Sequence, residues 1–177
     1  GVGKDGEDVS VLDLVKYFRR KGCNYYYEYD ESYGNLDLKD KVVVHVGGDC
    51  GSSAYYFLLH GARYVIFYEK NARLLAKYMA VCSELGFCDR AEARGEWKPG
   101  DYPDGDAFIM DCEGCEVGID FNALSKYKLA CIAIHVWTQG KAYLLKNMYG
   151  WRLQYVSDNG KELMFCRENV NAYVLFP

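Results

Sequence analysis

The sequence predicts an α/β protein built on a mostly parallel, doubly wound sheet that ends in an antiparallel hairpin. Three observations predict it. Strand-like and helix-like segments alternate between Asp40 and Trp137, a glycine turn follows the first of those strands, and Asp158, Asn159 and Gly160 join two late strand-like runs. With 177 residues, half of them hydrophobic, the chain can bury a single sizeable core.

Ser10 is placed to cap a first helix, in which Val11, Leu14, Val15 and Phe18 recur at helical spacing until Arg19, Arg20, Lys21 and Gly22 end the run. The tyrosine-rich stretch from Tyr25 to Tyr33 has β propensity and reads as an edge strand or hairpin. Strand 42–46 leads through the glycines into a helix at about 52–60, closed by Gly61. Strand 64–68 follows, then a helix at about 72–85 with Asn71 as its cap and Gly86 at its end. Further strands are expected at Ala91 to Trp97, Ala107 to Asp111 and Ala130 to Trp137, with a short helix around Phe121 to Lys126. Thr138 reads as the cap of a helix running to about Met148, and Trp151 to Val156 and Glu162 to Cys166 form the tight closing hairpin. The first eight residues are expected to fray; their Gly-x-Gly-x-x-Gly string follows no strand and carries no weight.

A net charge of -4 argues against a broad electrostatic grip on nucleic acid, and the densest basic cluster, Arg19 to Lys21, suits a helix C-terminus. No apolar run approaches the length of a membrane span. No charged-then-apolar leader follows Gly1, so a cytoplasmic location is the expectation. The eight cysteines are scattered, several inside apparent strands or helices, and read as buried small hydrophobes rather than a disulfide scaffold. Cys112 and Cys115 form a Cys-x-x-Cys, but with no second pair at ligand spacing neither zinc nor redox use is expected.

The most informative stretch is Lys41 to Gly51, followed by Tyr64 to Glu69. Gly47, Gly48 and Gly51 let the backbone turn sharply and approach a ligand, while Glu69 at the end of the next strand can accept hydrogen bonds from ribose hydroxyls. His45 stands where such sites usually carry an acid.

Three segments resemble the class I S-adenosylmethionine-dependent methyltransferases, and within them the FkbM-like family. His45 to Gly51 is similar to that family's Asp-Ile-Gly-Ala-Asn-x-Gly, Val65 to Glu69 to its ribose-binding strand, and Phe108 to Glu116, with Asp111, Glu113, Gly114 and Glu116, to its Lys-Ile-Asp-x-Glu-Gly-x-Glu. The resemblance implies a Rossmann-like methyltransferase domain over 40–177, with residues 1–39 packed on it as a helix and an edge strand or hairpin. It also implies S-adenosylmethionine as cofactor, held by His45, Gly47, Gly48, Asp49, Gly51, Glu69, Asp111 and Glu113, and loosely places adenine contacts at Glu92 to Gly95. Asp111, then His135, are the candidates for positioning the acceptor and taking its proton. The implied reaction is O-methylation of a small-molecule or sugar hydroxyl, without nucleic acid or membrane as partner.

The chain departs from the family at His45, at Lys70 where a proline is usual, at Ile109 where a lysine is usual, and at His135, Val136 and Trp137 where Glu-x-His is common. Since the cofactor carries a sulfonium, His45 is expected to be neutral if it binds. A two-histidine, one-carboxylate metal site from His45, Asp111 and His135 is set aside, because the two histidines are expected at different depths; no metal is expected. One rival is a degenerate methyltransferase fold serving as an interaction module. A weaker one is an NAD-dependent oxidoreductase, against which Asp49 takes the place of the second glycine of the dinucleotide motif.

Overall fold

Five short strands carry the parallel part of the sheet: β1 (Val42–Val46), β2 (Tyr64–Tyr68), β3 (Ala91–Arg94), β4 (Ala107–Met110) and β5 (Leu129–His135). In the computed structural model, which describes residues 10–169, β6 (Arg152–Val156) and β7 (Glu162–Glu168) add an antiparallel hairpin. The order across the sheet is β3-β2-β1-β4-β5-β7-β6, the doubly wound arrangement with a closing hairpin that the sequence predicts.

Pleating sorts the strand side chains into two cores. Val43, Ala107, Ile109, Cys131 and Ala133 face a layer containing α1 (Val11–Arg20), α2 (Tyr29–Tyr33), α3 (Ser52–Leu59) and α5 (Tyr78–Leu85). Val44, Val46, Phe108, Met110 and Ile132 face the other layer, where Leu144 of α6 (Lys141–Asn147) packs with Leu124 and Tyr127. Burying a side chain such as Phe57 or Phe108, both at 0% exposure, contributes about 1.5–3 kcal/mol. Every residue of β5 is buried, as expected of a strand covered on both faces.

Ser10 caps α1 by accepting the Asp13 amide, and Asn71 accepts the amides of Arg73 and Leu74 at the start of α4 (Ala72–Ala76). The expected helix at about 72–85 is two helices, since α4 ends at Ala76 and α5 begins at Tyr78. β3 stops at Arg94, and Trp97 turns back into the core. The expected helix around Phe121 to Lys126 is a single 3-10 turn, Ala123–Lys126. The hairpin connection spans 157–161, longer than the tight turn Asn159 and Gly160 suggest. The expectation for the first eight residues lies outside the described residues.

Three expectations are corrected. Tyr25 to Tyr33 is no edge strand or hairpin: Tyr26–Glu28 is a 3-10 turn that runs into α2. Its tyrosines are spaced for ring packing rather than pleating, with Tyr26, Tyr29 and Tyr33 in edge or tilted contact with one another and with Tyr56. Thr138 does not cap α6, which starts after Gly140 in a left-handed conformation; its hydroxyl is committed to Glu116.

The cysteines are not isolated hydrophobes, for all eight pair: Cys23 with Cys50, Cys82 with Cys88, Cys112 with Cys115, and Cys131 with Cys166. For the most distant pair, linear spacing hid the partnership because the sheet creates the proximity. Cys131 and Cys166 are register partners across β5 and β7 although 35 residues separate them.

Candidate cofactor and acceptor site

At the carboxyl ends of the parallel strands lies a cavity of about 560 Å³, within the range of small-molecule sites. The glycine turn forms one wall. Gly47 has φ +101°, and a Cβ there would meet the Asp111 carbonyl oxygen at 1.8 Å, so only glycine fits. Gly48 lies against the Phe67 ring, and Gly51, at φ +94°, precedes α3. The amides of Gly47 and Gly48 both donate to the Tyr68 carbonyl, tying the turn to β2.

Asp49 holds the turn from within. It adopts φ +45°, its carboxylate accepts the Ser52 hydroxyl at 2.6 and 2.7 Å, and its amide donates to Glu69 Oε1 at 2.8 Å. Burial pushes the Asp49 carboxyl up to about 6; hydrogen bonds from Ser52 oppose the rise and the charge of Glu69 adds to it. Glu69 Oε2 accepts the Asn71 amide, so each of its oxygens takes one backbone N–H and keeps a lone pair toward the cavity it lines. Glu96 and Trp97 continue the lining where the expected adenine segment, Glu92 to Gly95, does not; Glu92 pairs instead with Arg94.

His45 is 1% exposed, in edge contact with Phe57 and Tyr33, and its Nδ1 lies 2.9 Å from the Ile109 carbonyl oxygen. A carbonyl only accepts, so Nδ1 carries the proton. Burial pushes the imidazole down to about 4, and His45 is neutral at neutral pH.

Asp111, His135 and Glu162 meet at the other end of the cavity. The side chain of Asp111 follows β4 on the face shared by His45, and register sets the depths. His45 aligns with Ile109 and Ile109 with Cys131, four residues before His135, so the two histidines stand about 13 Å apart along the strands and share no site. His135 and Glu162 are direct partners across β5 and β7, with His135 Nε2 3.5 Å from Glu162 Oε1 and 3.8 Å from Asp111 Oδ1.

The electrostatics of the trio follow from this crowding. Burial, then the charge and hydrogen bond of Glu162, hold the Asp111 carboxyl well above the usual range. Burial pushes His135 down, but Glu162, Glu113 and Glu116 together carry it above its ordinary value. Burial also pushes Glu162 up, and hydrogen bonds from His135 and Asp111 reverse that and leave it low. Glu28, whose carboxyl burial and the charges of Glu162, Glu31 and Asp158 raise to about 7, completes this acidic end.

Glu116 acts through its bonds rather than toward the cavity. Fully buried, it accepts the Gly114 amide at 2.7 Å and the Thr138 hydroxyl at 2.9 Å, while Thr138 Oγ1 accepts the His135 amide. This chain braces the loop after β4 against the end of β5. Glu113, exposed at φ +52°, lines the cavity rim. A second chamber of about 350 Å³ adjoins, sharing Tyr25, Glu28, Glu113, His135 and Glu162 and adding Tyr27, Trp137 and Tyr155. Glu28 and Glu162 escaped the sequence reading: one sits in the stretch taken for a strand, and the other needs the β5–β7 register to be placed.

A doubly wound sheet with a terminal hairpin and a cavity at its glycine turn defines the class I methyltransferase fold. A putative RNA methyltransferase from Pyrococcus horikoshii superposes with a TM-score of 0.62 at 15% identity, covering 85% of this chain and 84% of that one. A Plasmodium falciparum dimethyladenosine transferase gives 0.66 at 14% over 82% and 62%, and Aeropyrum pernix fibrillarin with natively bound S-adenosyl-L-methionine 0.58 at 13% over 77% and 70%. The chain belongs to the same family as two uncharacterized proteins of Sulfolobus islandicus viruses. It is 47% identical over 157 residues to uncharacterized protein 158B of Sulfolobus islandicus rod-shaped virus 1, covering 88% of this chain and 99% of the relative. Uncharacterized protein 65 of a Sulfolobus islandicus filamentous virus is 43% identical over 157 residues, covering 89% and 99%. No protein-family model matches the chain.

Proposed function

We propose that this protein is an S-adenosylmethionine-dependent methyltransferase, FkbM-like in its site, that methylates a hydroxyl of a small molecule. The observation that carries the proposal is a single cavity in which Gly47, Asp49, Glu69 and Trp97 adjoin Asp111 and His135. The residues fit the cofactor by their chemistry. Glu69 offers acceptors to ribose hydroxyls, Trp97 an aromatic face to adenine, and Asp49 and Asp111 carboxyls to the cationic methionine part, with His45 neutral and so not opposing it.

When bound, S-adenosylmethionine supplies a methyl group on a positively charged sulfur, whose transfer needs an aligned nucleophile and a dry site. His135 lines the adjoining chamber, and Asp111, which lines only the larger cavity, stands 3.8 Å from the His135 Nε2; one of this pair takes the hydroxyl proton. Tyr25 and Trp137 line that chamber with aromatic surface. Its charged lining, Glu28, Glu31, Glu113, Asp158 and Glu162 against Lys161, disfavours a phosphate-bearing acceptor and supports the reading without nucleic acid.

The test is calorimetric titration with S-adenosylmethionine, S-adenosylhomocysteine and NAD, repeated on Glu69→Ala. Micromolar binding of the adenosyl compounds, weakened at least about tenfold in the variant, is expected. No binding of either compound at millimolar concentration overturns the proposal, and preferential NAD binding replaces it. Because His45 removes the first-strand acid, a binding module without catalysis is the second reading; cofactor binding with no methyl transfer to any of a panel of hydroxyl compounds would favour it.

A further inference from the structure

We propose that Asp111, His135 and Glu162 form a binding site for a single divalent transition-metal ion. They come from the ends of β4 and β5 and the start of β7, and their ligand atoms lie within 4.8 Å of one another. An ion with bonds of about 2.1 Å in tetrahedral geometry holds its ligand atoms about 3.4 Å apart. The observed 3.5 and 3.8 Å from His135 Nε2 to the two carboxylates need only small side-chain rotations to match.

Three further observations point to an ion rather than a simple ion pair. His135 is 4% exposed and lines both chambers, and its Nδ1 has no hydrogen-bond partner, so Nε2 is the ring atom turned to the carboxylates. Two carboxylates stand together where the chambers meet, and the other charged residues lining both, Glu28 and Glu113, are also acidic, while Lys70 lines only the first chamber and Lys161 only the second. Two carboxylates and a neutral imidazole balance the charge of a divalent ion. The positions of Asp111 and His135 are fixed from outside, by the Val46 carbonyl accepting the Asp111 amide and by the Thr138–Glu116 chain behind His135.

One nitrogen and two oxygens suit Mn²⁺, Fe²⁺, Co²⁺ or Zn²⁺ better than the all-oxygen demands of Ca²⁺ or Mg²⁺. Three protein ligands leave coordination positions open to the chambers, where an ion binds a hydroxyl oxygen and lowers its pKa; with the ion bound, His135 and Asp111 act through it and the proton passes to Glu28 or to water. That role rests on the proposed methyl transfer; the ion site itself does not.

The test uses the full chain with its disulfides intact, stripped with a chelator and titrated with Mn²⁺ by electron paramagnetic resonance and with Co²⁺ by visible absorption. Binding of about one ion per chain, with a cobalt spectrum of low coordination number, is expected. Glu162→Gln and His135→Gln, each checked for native circular dichroism, weaken it by at least about tenfold. Absence of Mn²⁺ and Co²⁺ binding by the wild-type chain, or affinity unchanged in both folded variants, overturns the proposal. S-adenosylhomocysteine binding is measured on the stripped protein in parallel. Ion binding without it leaves the metal site standing and removes the methyltransferase reading; the reverse removes only the metal site.

Discussion

Acidification should destabilise this protein through one buried ring. His45 titrates near 4 in the folded chain because burial excludes its charged form, against 6.5 when exposed to water. A folded value below the unfolded one means that the unfolded chain binds the extra proton first, so the stability contributed by neutral His45 is complete above about pH 6.5 and is lost as pH falls toward 4. At 1.36 kcal/mol per pH unit the full difference is about 3.4 kcal/mol, of which about 2 kcal/mol is gone by pH 5. The assay is urea unfolding at pH 7 and pH 5 of the wild-type chain and of His45→Gln, whose amide can still donate to the Ile109 carbonyl but does not titrate. The wild-type chain should lose about 2 kcal/mol more than the variant between the two conditions. Equal losses would refute the reasoning, because the remaining carboxyls are common to both.

Gly47→Ala should cost at least about 2 kcal/mol and abolish cofactor binding, since its Cβ would strike the Asp111 carbonyl at 1.8 Å in a left-handed conformation; urea unfolding and calorimetry check it. Glu28→Gln should raise stability by about 1–2 kcal/mol at pH 8 and leave it unchanged at pH 4. The folded value near 7 lies above the unfolded 4.5, so the protonated form is favoured below 4.5 and the cost of the buried charge grows as pH rises through 7, discounted here for partial exposure. Replacing Cys131 and Cys166 together by alanine should cost about 3–4 kcal/mol, the loop-closure value for 35 residues, read as a lower urea midpoint.

The parallel sheet was legible because strand periodicity, glycine stops and side-chain caps are local signals: Ser10, Asn71 and Gly86 each do what their chemistry announces. The glycine turn and Glu69 were legible for the same reason. What escaped depends on partners far away in the chain. Tyrosines have strand propensity, but Tyr26, Tyr29 and Tyr33 bury their rings against Tyr56 and Phe57, and that packing outweighs propensity. Glu162 joined the candidate site only through its pairing with His135, and Cys131 met Cys166 only through the same β5–β7 register. His45, expected to be neutral, has a physical reason for it in Phe57, Tyr33 and the Ile109 carbonyl.

The Cys23–Cys50 bond makes residues 23 to 50 a covalent ring. That ring contains Tyr25, Tyr29, Tyr33, His45 and Gly47, which line one flank of the large cavity. The bond limits how far the tyrosine segment can swing from the cavity, because it is stitched to the glycine turn it covers. The loop that carries Glu113 is tied to the same ring, since the Asp111 amide donates to the Val46 carbonyl, so a covalent bond and a backbone hydrogen bond together fix the wall of the cavity on this side.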